Sequence, residues 1–283
     1  MGLEPGVTAL VLLSALMHAG WNALTKSSAD RLLTLTLVLG TCAALGAIGC
    51  FFVPAPAPEA RVFLLASTSF HLLYQVFLLQ AYRFGDLSHV YPIARGLAPV
   101  LVALLAAIFA SEVPDGLQAV GLAIVSTSIA SLALEGRTVG PGATRSIVAA
   151  LLTSAMIGTY TFLDGQGVRR AGGSLSYIAW SMWVTSLPLC LFVVLRRRAR
   201  LVAILRTREG AKGILGGVTA TLGYGIVLWA MDRGALANVA ALRETGVVFA
   251  ALIGTLVLGE AFGARRIVAA SGVALGVILL QSG

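Results

Sequence analysis

Charged residues are scarce in this sequence. Lys, Arg, Asp and Glu together account for 11% of the 283 residues, whereas soluble domains average about 25%. Hydrophobic residues make up 58% of the chain, and long apolar runs recur from one end to the other, which leaves no stretch for a separate soluble domain. The scarcity of charge therefore excludes a soluble protein and indicates an all-α integral membrane protein with many spans.

Cysteine is also rare, and its distribution argues against a disulfide framework. The three cysteines, Cys42, Cys50 and Cys190, are odd in number and all lie within apolar runs. In that setting a cysteine behaves as a small hydrophobic core residue.

The sequence lacks the motifs that carry common enzyme chemistry. It has no nucleotide-binding loop, no GxSxG, no HExxH and no paired-carboxylate arrangement, so an enzyme is disfavoured and no cofactor is expected. The net charge of +8 does not indicate nucleic acid as a partner, because most basic residues lie in short loops between apolar runs. Basic loops beside membrane spans are the usual signature of topology.

The apolar runs predict ten transmembrane helices, since a helix needs about 20 apolar residues to cross the hydrocarbon. The runs are continuous rather than alternating, which favours helices over a barrel. The predicted spans are 7–25, 32–53, 62–82, 87–110, 117–134, 147–163, 174–195, 213–231, 235–258 and 267–281.

The segment EGRTVGPGATR at 135–145 separates two units of five spans each, 1–134 and 146–283. Arg95 in the fourth span precedes Glu112 by 17 residues, and Arg243 in the ninth precedes Glu260 by the same interval. An odd number of spans in each half inserts the second half upside down. We therefore expect two inverted five-helix repeats, an arrangement that secondary transporters use.

Several motifs resemble the drug/metabolite transporter superfamily, specifically its EamA-domain members. PVLVALLAAIFASE at 99–112 and its echo VVFAALIGTLVLGE at 247–260 are similar to spans of that family, and the resemblance covers nearly the whole chain. HAGWNALTK at 18–26 and GDLSHVYPIARG at 85–96 resemble a narrower subgroup, some members of which accompany phosphonate use. The second half departs from the family pattern at Val247 or Val248, where the family often has proline.

Loop charges predict the orientation in the membrane. Loops on the side of the basic segment RRRARLVAILRTREGAK, at 196–212, carry fourteen Lys or Arg residues, and the opposite side carries four. The positive-inside rule then places the basic segment in the cytoplasm and both termini outside. The family resemblance implies the reverse orientation. It also implies the plasma (inner) membrane of a prokaryote as the location.

Two arginines within predicted spans are candidates for substrate binding. An arginine at the centre of a membrane costs about 2.5–3.5 kcal/mol on insertion scales, so it usually faces a cavity or a partner. Inversion of the halves predicts Arg95 near one mouth and Arg243 near the other, where each guanidinium contacts an anion. A snorkelling role is the alternative. Glu244 either lines the site or neutralises an arginine on a neighbouring helix.

All three histidines fall in or beside the predicted spans one, three and four, within polar stripes at helical spacing. A histidine titrates near pH 6.5, so these residues are candidates for proton coupling, with structural hydrogen bonding as the alternative. No spacing supports a metal site. The further candidates for substrate contact lie in the same stripes or deep in spans six and eight. With the histidines, they are His18, Trp21, Asn22, His71, Tyr74, Gln75, His89, Tyr91, Tyr160 and Tyr224.

Two prolines in the fourth span predict a gating element. Pro92 and Pro99 each remove a backbone hydrogen bond to the residue four positions earlier. The kink that results either moves during transport or only shapes the packing. Glycines at four-residue intervals in spans eight and ten predict close helix packing.

These features predict a secondary transporter that works by alternating access without ATP. Its substrate is expected to be a small anionic or zwitterionic metabolite, such as an amino acid, and the family resemblance favours export. Spans one, three, four, six, eight and nine should build the cavity, and the family resemblance implies that spans five and ten lie at the periphery. The alternatives are efflux of cationic or apolar drugs, a membrane-embedded enzyme, or a non-transporting scaffold.

Overall fold

A computed structural model describes residues 2–84, 87–135, 143–256 and 264–283. The described residues form twelve α-helices and one 3-10 turn, Leu132–Glu135, and contain no strand. In chain order the helices are α1 (Pro5–Lys26), α2 (Arg31–Cys50), α3 (Pro58–Phe84), α4 (Leu87–Gly96), α5 (Ala98–Ala110), α6 (Gly116–Ser131), α7 (Ala143–Arg169), α8 (Ser174–Ile204), α9 (Arg208–Met231), α10 (Leu236–Arg243), α11 (Gly246–Leu256) and α12 (Ala264–Ser282).

Polar caps fix where several of these helices begin. The Asp30 carboxylate accepts from the Leu33 amide at the start of α2. Asp115 and Gln118 form a reciprocal capping box at the start of α6, and the Thr207 hydroxyl accepts from the Gly210 amide at the start of α9. These side chains satisfy amides that have no partner within the helix.

The membrane character that the composition predicts is confirmed. Eight of the described helical segments are long and apolar enough to cross a membrane, and Gly116–Ser131 and Ile267–Ser282 are shorter apolar helices. Large apolar side chains face outward, among them Leu79 at 70% exposed and Leu195 at 76%. The count of ten spans stays a prediction.

Two helices extend well beyond their predicted C-terminal ends, by six and nine residues (169 against 163 and 204 against 195). The sixth span was predicted to stop at residue 163, but α7 continues to Arg169, because Asp164 is buried by neighbouring helices and not exposed to lipid. The seventh was predicted to stop at 195, but α8 continues to Ile204. Arginine and alanine are strong helix formers, so the basic segment extends the helix past its apolar run.

The predicted fourth and ninth spans are each broken into two helices. The first breaks at Leu97, between α4 and α5, and Pro99 is the second residue of α5. Pro92, by contrast, lies inside α4. The second break lies at Glu244 and Thr245, between α10 and α11, where backbone bonds of the i to i+3 type tighten the chain without a proline. Each break directly follows a helix end that carries an arginine.

Helices of the first half pack mainly on helices of the second half, in the pairs α3–α7, α2–α8, α6–α12 and α1–α9. Glycines allow the backbones to approach closely. A Cβ added to Gly121 of α6 would lie 2.6 Å from the Gly276 carbonyl oxygen, and one added to Gly276 of α12 would lie 2.7 Å from the Gly121 carbonyl oxygen. Gly213 and Gly217 of α9 face α2 in the same way. The glycine spacing therefore serves helix packing, as expected.

Candidate functional site

Two arginines and one glutamate form a buried charged group next to the helix breaks. The Arg95 Nε lies 2.9 Å from the Glu244 Oε2, and the Arg243 Nη2 lies 3.5 Å from the Glu244 Oε1. The Glu244 side chain is fully buried, and the side chains of Arg95 and Arg243 are 9% and 6% exposed. We call these three residues the triad. Two guanidinium groups around one carboxylate leave the triad with one net positive charge.

The geometry of the triad differs from the places predicted for the two arginines and agrees with one of the two roles predicted for Glu244. The two arginines do not lie at opposite mouths, because both guanidinium groups lie beside the same carboxylate. Glu244 does contact an arginine on another helix, which was one of the two roles considered for it.

α1 brings His18 to the triad. Its ring is close enough to Arg95 and Arg243 to interact with the charge of both, and it lies edge-on to the Trp21 ring at 5.3 Å between centroids. Asn22 instead binds within its own helix, where its Nδ2 donates to the His18 carbonyl at 2.7 Å. His18 is thus the member of this polar stripe that lies beside the charged group.

An aromatic cluster from three helices surrounds His71. Its ring stacks on Tyr160 of α7 at 3.6 Å and meets the Tyr224 ring of α9 edge-on at 6.3 Å. Tyr74, one turn further along α3, meets the Tyr160 ring at 5.9 Å. The His71 Nδ1 lies 3.1 Å from the Ser67 carbonyl oxygen and 3.3 Å from the Ser67 hydroxyl oxygen. In the tautomer that donates from Nδ1 to the carbonyl, Nε2 is the acceptor.

Asp164 on α7 belongs to the same region and was not anticipated from the sequence. Its side chain is buried, with 2% of the residue exposed. The Tyr177 hydroxyl donates to its Oδ1 at 3.0 Å, and the Tyr224 hydroxyl donates to its Oδ2 at 2.5 Å. The sixth span was predicted to end one residue before Asp164, so this acid looked like a loop residue. The sequence signal that could have revealed the burial of Asp164 is that small and apolar residues occur on both sides of it.

The other candidate residues lie at varying distances from this centre. Gln75 is half-buried on α3, next to Tyr74. His89 and Tyr91 lie on α4, but their side chains are outside the part of the chain that the structure describes. Pro99 and Ala98 begin α5, and Ala98 packs in one apolar cluster with Tyr160. The first helix break therefore touches the aromatic cluster directly.

A second polar group lies at the end of the molecule that carries both termini. Arg169, at the end of α7, forms an ion pair with Glu112, which follows α5. Its Nε donates to the Met231 carbonyl at 2.8 Å and its Nη2 to the Gly234 carbonyl at 2.6 Å. The second oxygen of Glu112 accepts from the Leu236 amide at 2.9 Å. We call this group the clamp, because it joins the ends of α5, α7, α9 and α10.

Comparisons with known proteins point to one family. The model of the EamA-like transporter family matches residues 144–282. A protein of known crystal structure aligns over 98% of this chain and 97% of its own, with a TM-score of 0.78 and 15% sequence identity. At that identity the likeness establishes a shared fold alone. None of the curated proteins compared with the chain matches it.

Proposed function

The second half of this chain belongs to the EamA-like transporter family, and from that premise we propose that the whole chain is a secondary transporter of the drug/metabolite type. It moves a small anionic or zwitterionic metabolite across the membrane by alternating access. The resemblance read from the sequence is confirmed by the family match over residues 144–282. The substrate class, the direction and the mechanism belong to the proposal.

The observation that carries the proposal is the pair of matched helix breaks. Each half of the chain has one interrupted span, and each interruption follows an arginine, Arg95 in α4 and Arg243 in α10. Interrupted helices near the midplane form substrate and ion sites in transporters built from inverted repeats. Such a repeat accounts for the similar position of the two breaks, each just after the arginine of its half. It also accounts for the interval of 17 residues from each arginine to the glutamate beyond it.

The charge of the triad favours an anionic group on the substrate. Two guanidinium groups share one carboxylate. The Arg243 contact, at 3.5 Å, is longer than the Arg95 contact, at 2.9 Å, so Arg243 forms the weaker ion pair. A buried charge without full compensation is costly. A carboxylate, phosphonate or phosphate arriving beside Arg243 supplies the compensation.

The clamp supports alternating access. The ends of four helices are joined by Arg169 and Glu112 at the end that carries the termini, so the substrate enters this state from the end of the basic segment. We place that end in the cytoplasm, following the loop charges, and propose export. A reporter protein fused after Gly283 tests the orientation. The proposal places the C-terminus outside the cytoplasm, so a reporter that is active only there should be active.

A proton is the coupling ion that we propose, with His71 as its carrier. In the tautomer whose Nδ1 donates to the Ser67 carbonyl, the Nε2 of His71 can accept a proton. The groups that face the ring from neighbouring helices are Asp164, Arg243, Tyr160 and Tyr224. Protonation of the ring would place a cation close to the Asp164 carboxylate. Uptake into proteoliposomes should respond to an imposed pH gradient, and uptake that ignores the gradient would remove histidine from the mechanism.

The substrate class is tested by thermal unfolding of the detergent-purified protein with anionic, zwitterionic and cationic metabolites. A ligand that binds only the folded state raises the unfolding temperature by mass action. We expect anionic or zwitterionic compounds to stabilise the wild type but not Arg95→Ala or Arg243→Ala. Arg233→Ala is the control, since Arg233 is an exposed arginine beside Asp232.

Two outcomes contradict the proposal. If Arg95→Ala and Arg243→Ala both transport at the wild-type rate with the wild-type KM, the arginines do not bind substrate. If cationic or apolar compounds alone stabilise the protein, it is an efflux carrier for drugs of that kind. Asp164 and the tyrosines around it favour this second function, because a carboxylate among aromatic rings suits a cation.

A further inference from the structure

Asp164 is a buried carboxylate that forms no ion pair with any cationic side chain the structure describes. Among the residues that the structure describes, the ion pairs of buried carboxylates involve Glu244 and not Asp164. Both of its oxygens instead accept hydrogen bonds from neutral phenols, those of Tyr177 and Tyr224. A carboxylate oxygen can accept more than one bond, so each oxygen keeps room for a further donor. A charged group held this way in a membrane protein usually serves function.

Asp164 and Arg243 both lie near the aromatic cluster of His71, Tyr160 and Tyr224. The Tyr224 hydroxyl donates to Asp164, and Arg243 is close enough for its charge to reach all three rings. The three rings contact one another, with His71 stacked on Tyr160 and edge-on to Tyr224. One aromatic cluster is therefore within reach of a buried anion and a buried cation.

The formal charges of four described residues, Arg95, Arg243, Glu244 and Asp164, sum to zero. Arg95 and Glu244 form the short contact of 2.9 Å. Arg243 shares the same carboxylate at 3.5 Å, and among the described residues Asp164 is bound by the phenols of Tyr177 and Tyr224. A bare anion beside Arg243 would leave Asp164 uncompensated. A bare cation beside Asp164 would leave Arg243 in the same position, whereas a molecule that carries both charges compensates both.

We propose that Asp164 is the ammonium-binding residue of this site and that the substrate is a zwitterion. The anionic group of the substrate binds Arg243, its ammonium group binds Asp164, and the part between them lies against His71, Tyr160 and Tyr224. Aromatic faces add to the binding of the ammonium group, because their quadrupole attracts cations. This assignment rests on the proposed transport function and narrows its substrate from anionic or zwitterionic to zwitterionic.

A purely structural role for Asp164 predicts something different. In that role the carboxylate would only join α7, α8 and α9 through the two phenols. Its loss would then lower stability and would weaken all ligands alike. In the binding role its loss changes which ligands bind.

The test compares a zwitterion with two analogues that each lack one of its charged groups. The first set is L-leucine, the carboxylate 4-methylpentanoate and the amine 3-methylbutylamine. A second set is 2-aminoethylphosphonate with ethylphosphonate and ethylamine. Binding of each probe is measured by thermal shift on the full-length protein and on Asp164→Asn, which keeps the shape of the side chain. Tyr177→Phe is the matched control, because it removes one hydrogen bond to Asp164 and leaves the charge in place.

We expect a zwitterion from one set to bind the wild type and to weaken by about tenfold to a hundredfold in Asp164→Asn, the loss of one charge-assisted hydrogen bond. The matched bare anion should bind Asp164→Asn at least as well as it binds the wild type. Tyr177→Phe should keep the preference for the zwitterion.

Other outcomes overturn the assignment and are distinguishable from failure of the transport function. If the bare anion binds the wild type as tightly as the zwitterion, and binding depends on Arg243 but not on Asp164, the ammonium site is wrong and the proposed function stands. If Asp164→Asn weakens all probes equally, Asp164 is structural. If no probe of either set stabilises the wild type, the ammonium site and the proposed substrate class both fail.

Discussion

Glu244 is expected to have a large influence on stability, because two buried guanidinium groups share its carboxylate. Replacing a buried ion pair with apolar groups can be neutral, but removing one partner leaves a buried charge uncompensated. The cost therefore depends on which member is removed and on what remains.

We predict that Glu244→Gln lowers the free energy of unfolding by about 3–5 kcal/mol, the cost of breaking a buried ion pair. Thermal unfolding in detergent measures the change. The double variant Arg95→Gln/Glu244→Gln should recover part of the loss, since it removes one of the two guanidinium charges that lose the Glu244 carboxylate. Glu209→Gln is the control. Its pair with Lys212 is partly exposed, and such pairs contribute about 0–1 kcal/mol. Equal effects of Glu244→Gln and Glu209→Gln would contradict the prediction.

At the residue scale the sequence was informative about charges and less so about their neighbours. Arg95, Arg243 and His71 stand out because polar groups in apolar runs are costly. The sequence does not show that Arg95 and Arg243 share one carboxylate, because the two arginines lie in different predicted spans. For Glu244 it leaves two roles open, lining the site or neutralising an arginine of a neighbouring helix, and it does not identify that arginine.

The order of the helices could be predicted from the sequence more accurately than the residues at which each helix ends. Apolar runs give the order of the helices, because crossing hydrocarbon requires a run of fixed length. Helix ends follow local chemistry that the apolar count ignores, such as the helix-forming arginines of α8 and the buried Asp164 of α7. Because the predicted sixth span ends at residue 163, the predicted site does not include Asp164.

The crossing of α6 and α12 gives a prediction at this scale. We expect Gly276→Leu to destabilise the protein by at least about 1–3 kcal/mol, the usual cost of overpacking. The new side chain would meet the Gly121 carbonyl oxygen, and backbone cannot move aside as a flexible side chain can. The unfolding temperature in detergent measures the effect.

Gly20→Leu is the matched control for this crossing. Gly20 also lies within a helix, α1, but a Cβ there would meet nothing within 4 Å. This variant should be neutral or stabilising, since leucine is the better helix former. A similar loss in both variants would mean that the helix interior, and not the crossing, responds to the change.

For the whole molecule, the clamp predicts that one end opens only when Arg169 releases its partners. Arg169→Gln removes the ion pair with Glu112 and at least one of the two bonds to backbone carbonyls. Charge-assisted bonds contribute about 1.5–3 kcal/mol each. The population open at this end should therefore rise by about tenfold or more.

Labelling of a single introduced cysteine measures this opening. Thr161→Cys, placed in a background without Cys42, Cys50 and Cys190, reports from a buried position on α7. Its reaction with a polar thiol reagent should be faster in Arg169→Gln than in Arg170→Gln. Arg170 is the adjacent arginine, and its Nη1 binds Gln166 within the same helix. Equal rates in the two variants would show that the clamp does not hold this end closed.

The two halves of the chain are not interchangeable as building blocks, and the triad shows why. Arg95 is followed by Gly96, whereas Arg243 is followed by Glu244. A homodimer of the first half would bring two arginines together without an acid at this position, and a homodimer of the second half would supply two acids. Only one copy of each half gives the single shared carboxylate. Neither half can therefore replace the other in assembling the triad.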